Sequence, residues 1–219
     1  MPLWRFKSNA YQGPVEKAFG IKPIRLPAHD PGQVSGEDDP ESEARRQVDA
    51  FQAEVDQQLG MKVRWRDDGE ICYSKENYGF DALRVYAKWL SYAEKGEVFS
   101  VPASRQYTDH PSWELNSSPL EFPHLVTHNL YIGYLLPVDF TGVFNVEPYT
   151  IGRMQDWHAV ASSQRVSLEL KAILARLGVS TPFKPSPDDP LADIKWFAVE
   201  LDKITTLSLQ HGLPVIFFG

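Results

Sequence analysis

Proline decides where this chain can be helical. Pro2, Pro14, Pro23, Pro27 and Pro31 crowd the first 36 residues, and Pro182, Pro185, Pro187 and Pro190 fall between residues 180 and 190. A proline inside a helix removes a backbone donor and clashes with the preceding turn, so neither stretch can hold a long helix. The first is nevertheless rich in apolar side chains, including Trp4, Phe6, Tyr11, Phe19, Ile21, Ile24 and Leu26. Residues 1–36 therefore read as an irregular strap lying over a body formed by residues 37–219, all within a single domain.

Between the prolines the apolar residues recur at helical spacing. Ala44, Val48, Phe51, Val55 and Leu59 form one stripe, which predicts a helix from Pro40 to about Leu59 with Gly60 as its stop. Phe80, Leu83, Tyr86, Ala87 and Leu90 predict a second, from about Phe80 to Tyr92. Ser162 or Ser163 is placed to cap a third that carries Val166, Leu170, Ile173, Leu174 and Leu177 and ends at Gly178. A fourth runs from about Leu191 to His211.

Strand patterns are fewer and shorter. Met61, Val63 and Trp65 alternate with charged residues, and Asp67-Asp68-Gly69 can turn the chain toward Ile71 and Tyr73, which reads as a β-hairpin. Val98 to Val101 and Val215 to Phe218 read as further strands. Gly133 to Phe140 reads as another, placed at a sheet edge because Pro137 cannot donate to a ladder. The expected class is α+β, with about four main helices and a small, mostly antiparallel sheet.

Twenty-nine acids against 22 Lys and Arg give a formal net charge of −7. That balance repels nucleic acid and anionic membrane, and no run of Lys and Arg counters it. The lone cysteine, Cys72, excludes an internal disulfide and fits a reducing compartment. The N-terminal Met-Pro-Leu-Trp-Arg-Phe-Lys meets charge before any apolar run, and no segment approaches a membrane span. A cytoplasmic protein with no cofactor is expected.

Five acids lie between Glu37 and Glu43, where carboxylates favour the positive end of a helix dipole. They serve equally as a helix-start signal or as a binding patch. The proline-, serine- and histidine-bearing stretch from 102 to 121 is long for a connection and carries Tyr107 and Trp113. A short helix opening at Pro123 sets His124 and His128 four apart, a spacing able to hold a metal with Asp109, His110 or Asp139. Leu125 stands where a zinc protease of this type needs Glu, and no third ligand has a diagnostic spacing, so structural histidines and no metal are expected. Glycine-rich phosphate loops and the nucleophile elbow are absent.

Pro123-His124-Leu125, His128, Gly133-Tyr134, Leu136-Pro137-Val138-Asp139-Phe140, Ser162-Ser163 and Glu169-Leu170 together resemble a group of bacterial proteins to which no activity is assigned. Tyr78-Gly79-Phe80 ahead of Leu83-Arg84 resembles the same group's earlier helix start, and the likeness spans roughly residues 75–215. Asn129-Leu130 and Ala161 depart from the group's Ser-Asp and Gly. Some of its members resemble immunity partners of secreted toxins.

Two functional expectations follow. One is a cytoplasmic protein-binding module, an immunity-type protein covering a basic secreted toxin through Tyr107, Trp113, Glu37, Asp38 and Asp39. The other is a hydrolase, metal-dependent in one version, that uses His124 and His128 with Asp139 or Asp109.

Overall fold

A computed structural model describes residues 40–65, 80–94, 96–115, 120–128, 133–146, 158–180 and 182–217, with side chains of the first helix described from residue 49. The expected strap at 1–36, the acids Glu37, Asp38 and Asp39, Cys72 and the second arm of the hairpin lie outside these residues. Among the described residues there are five α-helices, α1 (Pro40–Leu59), α2 (Phe80–Tyr92), α3 (Pro123–Thr127), α4 (Ser163–Arg176) and α5 (Ala192–His211). Four short strands, β1 (Gly133–Leu136), β2 (Phe144–Val146), β3 (His158–Ser162) and β4 (Val215–Phe217), form one sheet in the order β2-β3-β1-β4. β1 runs parallel to β3 and antiparallel to β4, while β2 is antiparallel to β3. The molecule is α+β, as the patterns imply.

The pleat sends alternate residues to opposite faces, and both faces are covered. Leu135, Ala161, Val215 and Phe217 join a large apolar core with α2, α3, α4 and α5, including Leu83, Leu170, Ile173, Ile194 and Leu201. Tyr134, Leu136, Val146, Val160 and Ile216 point the other way, toward Phe51 and Val55 of α1 and toward Val63. This double cover explains why every residue of β1, β3 and β4 is buried. It also explains why β3 escaped a reading by alternation: His-Ala-Val-Ala-Ser shows no polar face and leads straight into a helix start.

The edge placement expected for Gly133–Phe140 is corrected. β1 lies between β3 and β4, and it stops at Leu136, so Pro137 falls outside the ladder and costs no hydrogen bond. The expected first arm of the hairpin is corrected too, because residues 62–65 make no strand. Asp56 Oδ1 accepts from Val63 N at 2.7 Å and Gln52 Nε2 donates to Val63 O at 2.6 Å. Side chains of α1 thus take the backbone groups that a neighbouring strand would use. Residues 98–101 likewise form no ladder; Phe99 stacks on His110 and packs edge-on to Tyr86 and Trp89, tying this stretch to α2.

α4 and α5 pair through a polar seam inside the large core. Ser208 Oγ donates to Leu213 O at 2.6 Å, which leaves it to accept from Ser163 Oγ at 2.8 Å, and Ser167 Oγ donates to Asp202 at 3.2 Å. Gly212, at φ +65°, turns the chain out of α5 and into β4.

Candidate functional site

The carboxyl ends of the parallel strands β1 and β3 gather three of the polar residues singled out in the sequence, His124, Asp139 and Ser162. β1 delivers the turn Pro137–Val138–Asp139, β3 ends at Ser162, and α3 brings His124 alongside. Ser162 caps α4: its Oγ accepts from Arg165 N at 3.2 Å and donates to Val138 O at 2.6 Å. Its backbone N–H reaches His124 Nδ1 at 3.4 Å, so that nitrogen is an acceptor and the ring's proton sits on Nε2. Arg165 holds Asp139 by two bonds, of 2.5 and 3.0 Å. Glu169, one turn further along α4, accepts from His124 N at 3.0 Å and Leu125 N at 2.8 Å, supplying the acceptors that the first turn of α3 lacks. Arg84 Nε holds the other end of α3 at Val126 O.

Burial sets the charge states here. It pulls His124 down to about 4, with Arg165 adding to the effect and Asp139 opposing it. It pushes Glu169 up to about 7 against the two amides it accepts from. His128 is fully buried and held down to about 3 despite the carbonyls of Tyr134 and Ala159. Both histidines are neutral at neutral pH.

This arrangement joins structure rather than making chemistry. His128 Nε2 donates to Tyr134 O at 3.1 Å, and its ring packs edge-on to Phe217 and against Gly133. A Cβ at Gly133 would strike the Ala159 carbonyl and that ring, and the residue's φ of +148° suits glycine alone. The two histidines therefore look to different backbone partners and do not converge. Ser162 has spent its donor and an acceptor position, Asp139 is paired, and Asp109 accepts from Ser104 in the 102–121 loop. Among the described residues no group of three or more His, Cys, Asp or Glu could hold a metal.

The aromatic anchors expected on the 102–121 loop face inward. Tyr107 is only 7% exposed and belongs to the large core. Trp113 is half-buried against it, flanked by the Arg84 guanidinium at 5.3 Å and Lys88 Nζ at 5.9 Å. Lys88 also donates to Trp113 O at 2.6 Å. Both aromatics hold the loop onto α2.

Charge is distributed more unevenly than local motifs reveal. Residues 37–56 carry eight acids against two bases, a net −6 in a chain of −7. Residues 1–31 carry five bases against two acids, leaving residues 32–217 with 27 acids and 17 bases, a net −10. Several described acids are offset locally: Asp56 of α1 by Arg64 at 3.0 Å, Asp139 by Arg165, Glu121 by Arg176, Asp189 by Lys195 at 2.7 Å and Asp193 by Arg105 at 3.8 Å. Residues 32–217 match the family model described as "Putative DNA-mimic protein". The chain belongs to this family. No curated protein and no solved structure matches it.

Family membership overturns both functional expectations. The partner of a DNA mimic is a DNA-binding protein, so a basic secreted toxin neutralised by an immunity protein is the wrong partner class. The hydrolase built on His124 and His128 with Asp139 or Asp109 falls as well, since mimicry requires acidic surface rather than a reactive centre. The acids at 37–43 were read as a helix-start signal or a binding patch, with Glu37, Asp38 and Asp39 as contacts; a segment-by-segment charge tally adds how much of the net charge lies there.

Proposed function

We propose that this protein occupies the DNA-contacting surface of a DNA-binding protein and competes there with duplex DNA. The observation that carries the reading is the family match over residues 32–217, a region whose net charge is −10. Duplex DNA presents about one negative charge per 1.7 Å of axis, so surfaces that bind it are cationic and rich in Arg and Lys. Carboxylates satisfy such groups with charge-assisted, often bidentate hydrogen bonds. No helix among the described residues is long and apolar enough to cross a membrane, and the proposed partner places the protein inside the cell, where the DNA is.

The test is competition. A protein retained from the source organism's lysate on the immobilised full chain should bind duplex DNA by itself and be released by added duplex. A retained protein with no affinity for DNA, or one that duplex cannot displace, would overturn the reading. The salt dependence supplies a second check, because DNA owes its steep slope to condensed counterions. α1 is about 30 Å long at 1.5 Å per residue and carries five acids, a far lower density than duplex DNA. Affinity for the mimic should therefore fall less between roughly 50 and 200 mM salt than affinity for DNA does.

A further inference from the structure

We propose that His124 and Glu169 form a compensating pair that keeps the first turn of α3 seated on α4 from acid to neutral pH. The device belongs to this joint and stands apart from the mimicry reading. α3 opens at Pro123, and its N-cap, Phe122, supplies no side-chain bond, so the amides of His124 and Leu125 lack acceptors in their own segment. Glu169 of α4 supplies both, one carboxylate oxygen to each amide. The same turn makes its other polar contact through His124 Nδ1, which accepts from Ser162 N where β3 passes into α4. Two titratable groups thus hold one turn of helix to one stretch of chain.

Their protons act in opposite senses. An imidazolium has no acceptor, so a proton on Nδ1 would set a donor against the Ser162 N–H, and the seat requires neutral His124. The ring is 3% exposed, and burial lowers it to about 4. Arg165 and Asp139, the charges facing it, pull in opposite directions and hold each other by two hydrogen bonds. His128, at the end of α3, is neutral as well. Glu169 is half-buried and receives two amides but no cation: Arg165, one turn earlier, is held by Asp139, and Arg84 is at the far end of α3 on Val126 O. Burial outweighs the two amides and raises Glu169 to about 7. When the turn opens into water, His124 gains a proton below 6.5 and Glu169 loses one above 4.5. Between these limits one proton is exchanged for the other, and opening costs nearly the same at every pH.

The experiment is hydrogen exchange at the His124 and Leu125 amides of the full chain, at pH 5.5 and pH 7.5, corrected for the intrinsic rate at each pH. Opening of the native chain should differ by only about twofold between the two. Glu169→Gln should make opening about tenfold more frequent at pH 5.5 than at pH 7.5. His124→Asn, which keeps an acceptor for Ser162 N, should make it about twentyfold more frequent at pH 7.5 than at pH 5.5. Purely structural roles predict faster exchange in both variants with no dependence on pH. That result, slopes of one sign in both variants, or a native slope of about tenfold would overturn the pairing. If a variant does not fold, carbon-13 NMR titration of the native chain decides. Glu169 titrating near 7 with His124 near 4 supports the pairing, whereas Glu169 near 4.5 or His124 near 6.5 overturns it.

Discussion

The two sides of the sheet are built to different ends. Under α2, α3, α4 and α5 lies a core containing Leu83, Leu125, Leu135, Leu170, Ile173, Ile194 and Leu201, crossed by serine hydrogen bonds and rimmed by ion pairs. On the other side α1, the one helix there among the described residues, rests on a smaller cluster around Phe51, Val55 and Tyr134, with Phe51 in ring contact with Trp65 and Tyr134. The first side neutralises its charge and spends its polar groups on itself. The second is thinner, and its Asp56 is held by Arg64 and by the Val63 amide. The larger core thus carries most of the packing, and α1 is held to the sheet by a smaller one.

Cutting the large core should have the greatest effect. Leu170 and Leu201 are buried at 0% and 1% exposure, and Leu170→Ala or Leu201→Ala should cost about 2–5 kcal/mol in chemical denaturation. If a cavity there costs no more than loss of an exposed side chain, the large core does not carry the packing assigned to it above.

Acid should act next. His124 and His128 are neutral in the fold because burial lowers them to about 4 and about 3, from 6.5. The stability they contribute is fully present above pH 6.5 and is lost as pH falls toward those values, on the order of 3 kcal/mol for His124 and 5 kcal/mol for His128 if fully expressed. Glu169 runs the other way. Raised from 4.5 to about 7, it contributes stability below pH 4.5 that is lost as pH rises through 7. Denaturation between pH 4.5 and 8 should therefore show stability rising less steeply than two histidines alone would give. Glu169→Gln should steepen the rise below pH 6.5 and flatten the curve above it; an unchanged profile would mean that Glu169 does not titrate in this range.

On the side of α1, Asp56 ties the helix to the segment that follows. It accepts from Val63 N, Gln52 and Arg64, and the hydrogen bonds it receives outweigh burial to hold its carboxyl below the usual range. Asp56→Ala should cost about 1–2 kcal/mol and loosen amide exchange at Val63 while sparing the amides of α4 and α5. Spread of the loosening into α5 would show that the two sides are more tightly coupled than their separate cores imply. The smallest effect is expected at the half-exposed pair of Asp139 and Arg165, where Asp139→Asn should change stability by less than about 1 kcal/mol.

The helices were legible because each carries an apolar stripe that its burial repeats. Phe80, Leu83, Tyr86 and Ala87 face the core, as do Val166, Leu170, Ile173 and Leu174. The cap at Ser162 was legible as well, since it depends on one hydroxyl and an amide three residues away. The strands were harder to read, because a sheet covered on both faces erases alternation in β3 and because Val63 looks like a strand residue until α1 takes its backbone groups. The histidines at 124 and 128 kept their helical spacing in the chain but met unrelated partners, Ser162 and Tyr134, which local sequence cannot name. What the chain determines by itself is its helical segments and its excess of acid, because periodicity and charge are properties of neighbours in sequence. Which acids are paired, which aromatics are buried and how the sheet is covered on both faces were decided by the tertiary structure, because each depends on contacts between residues far apart in the chain.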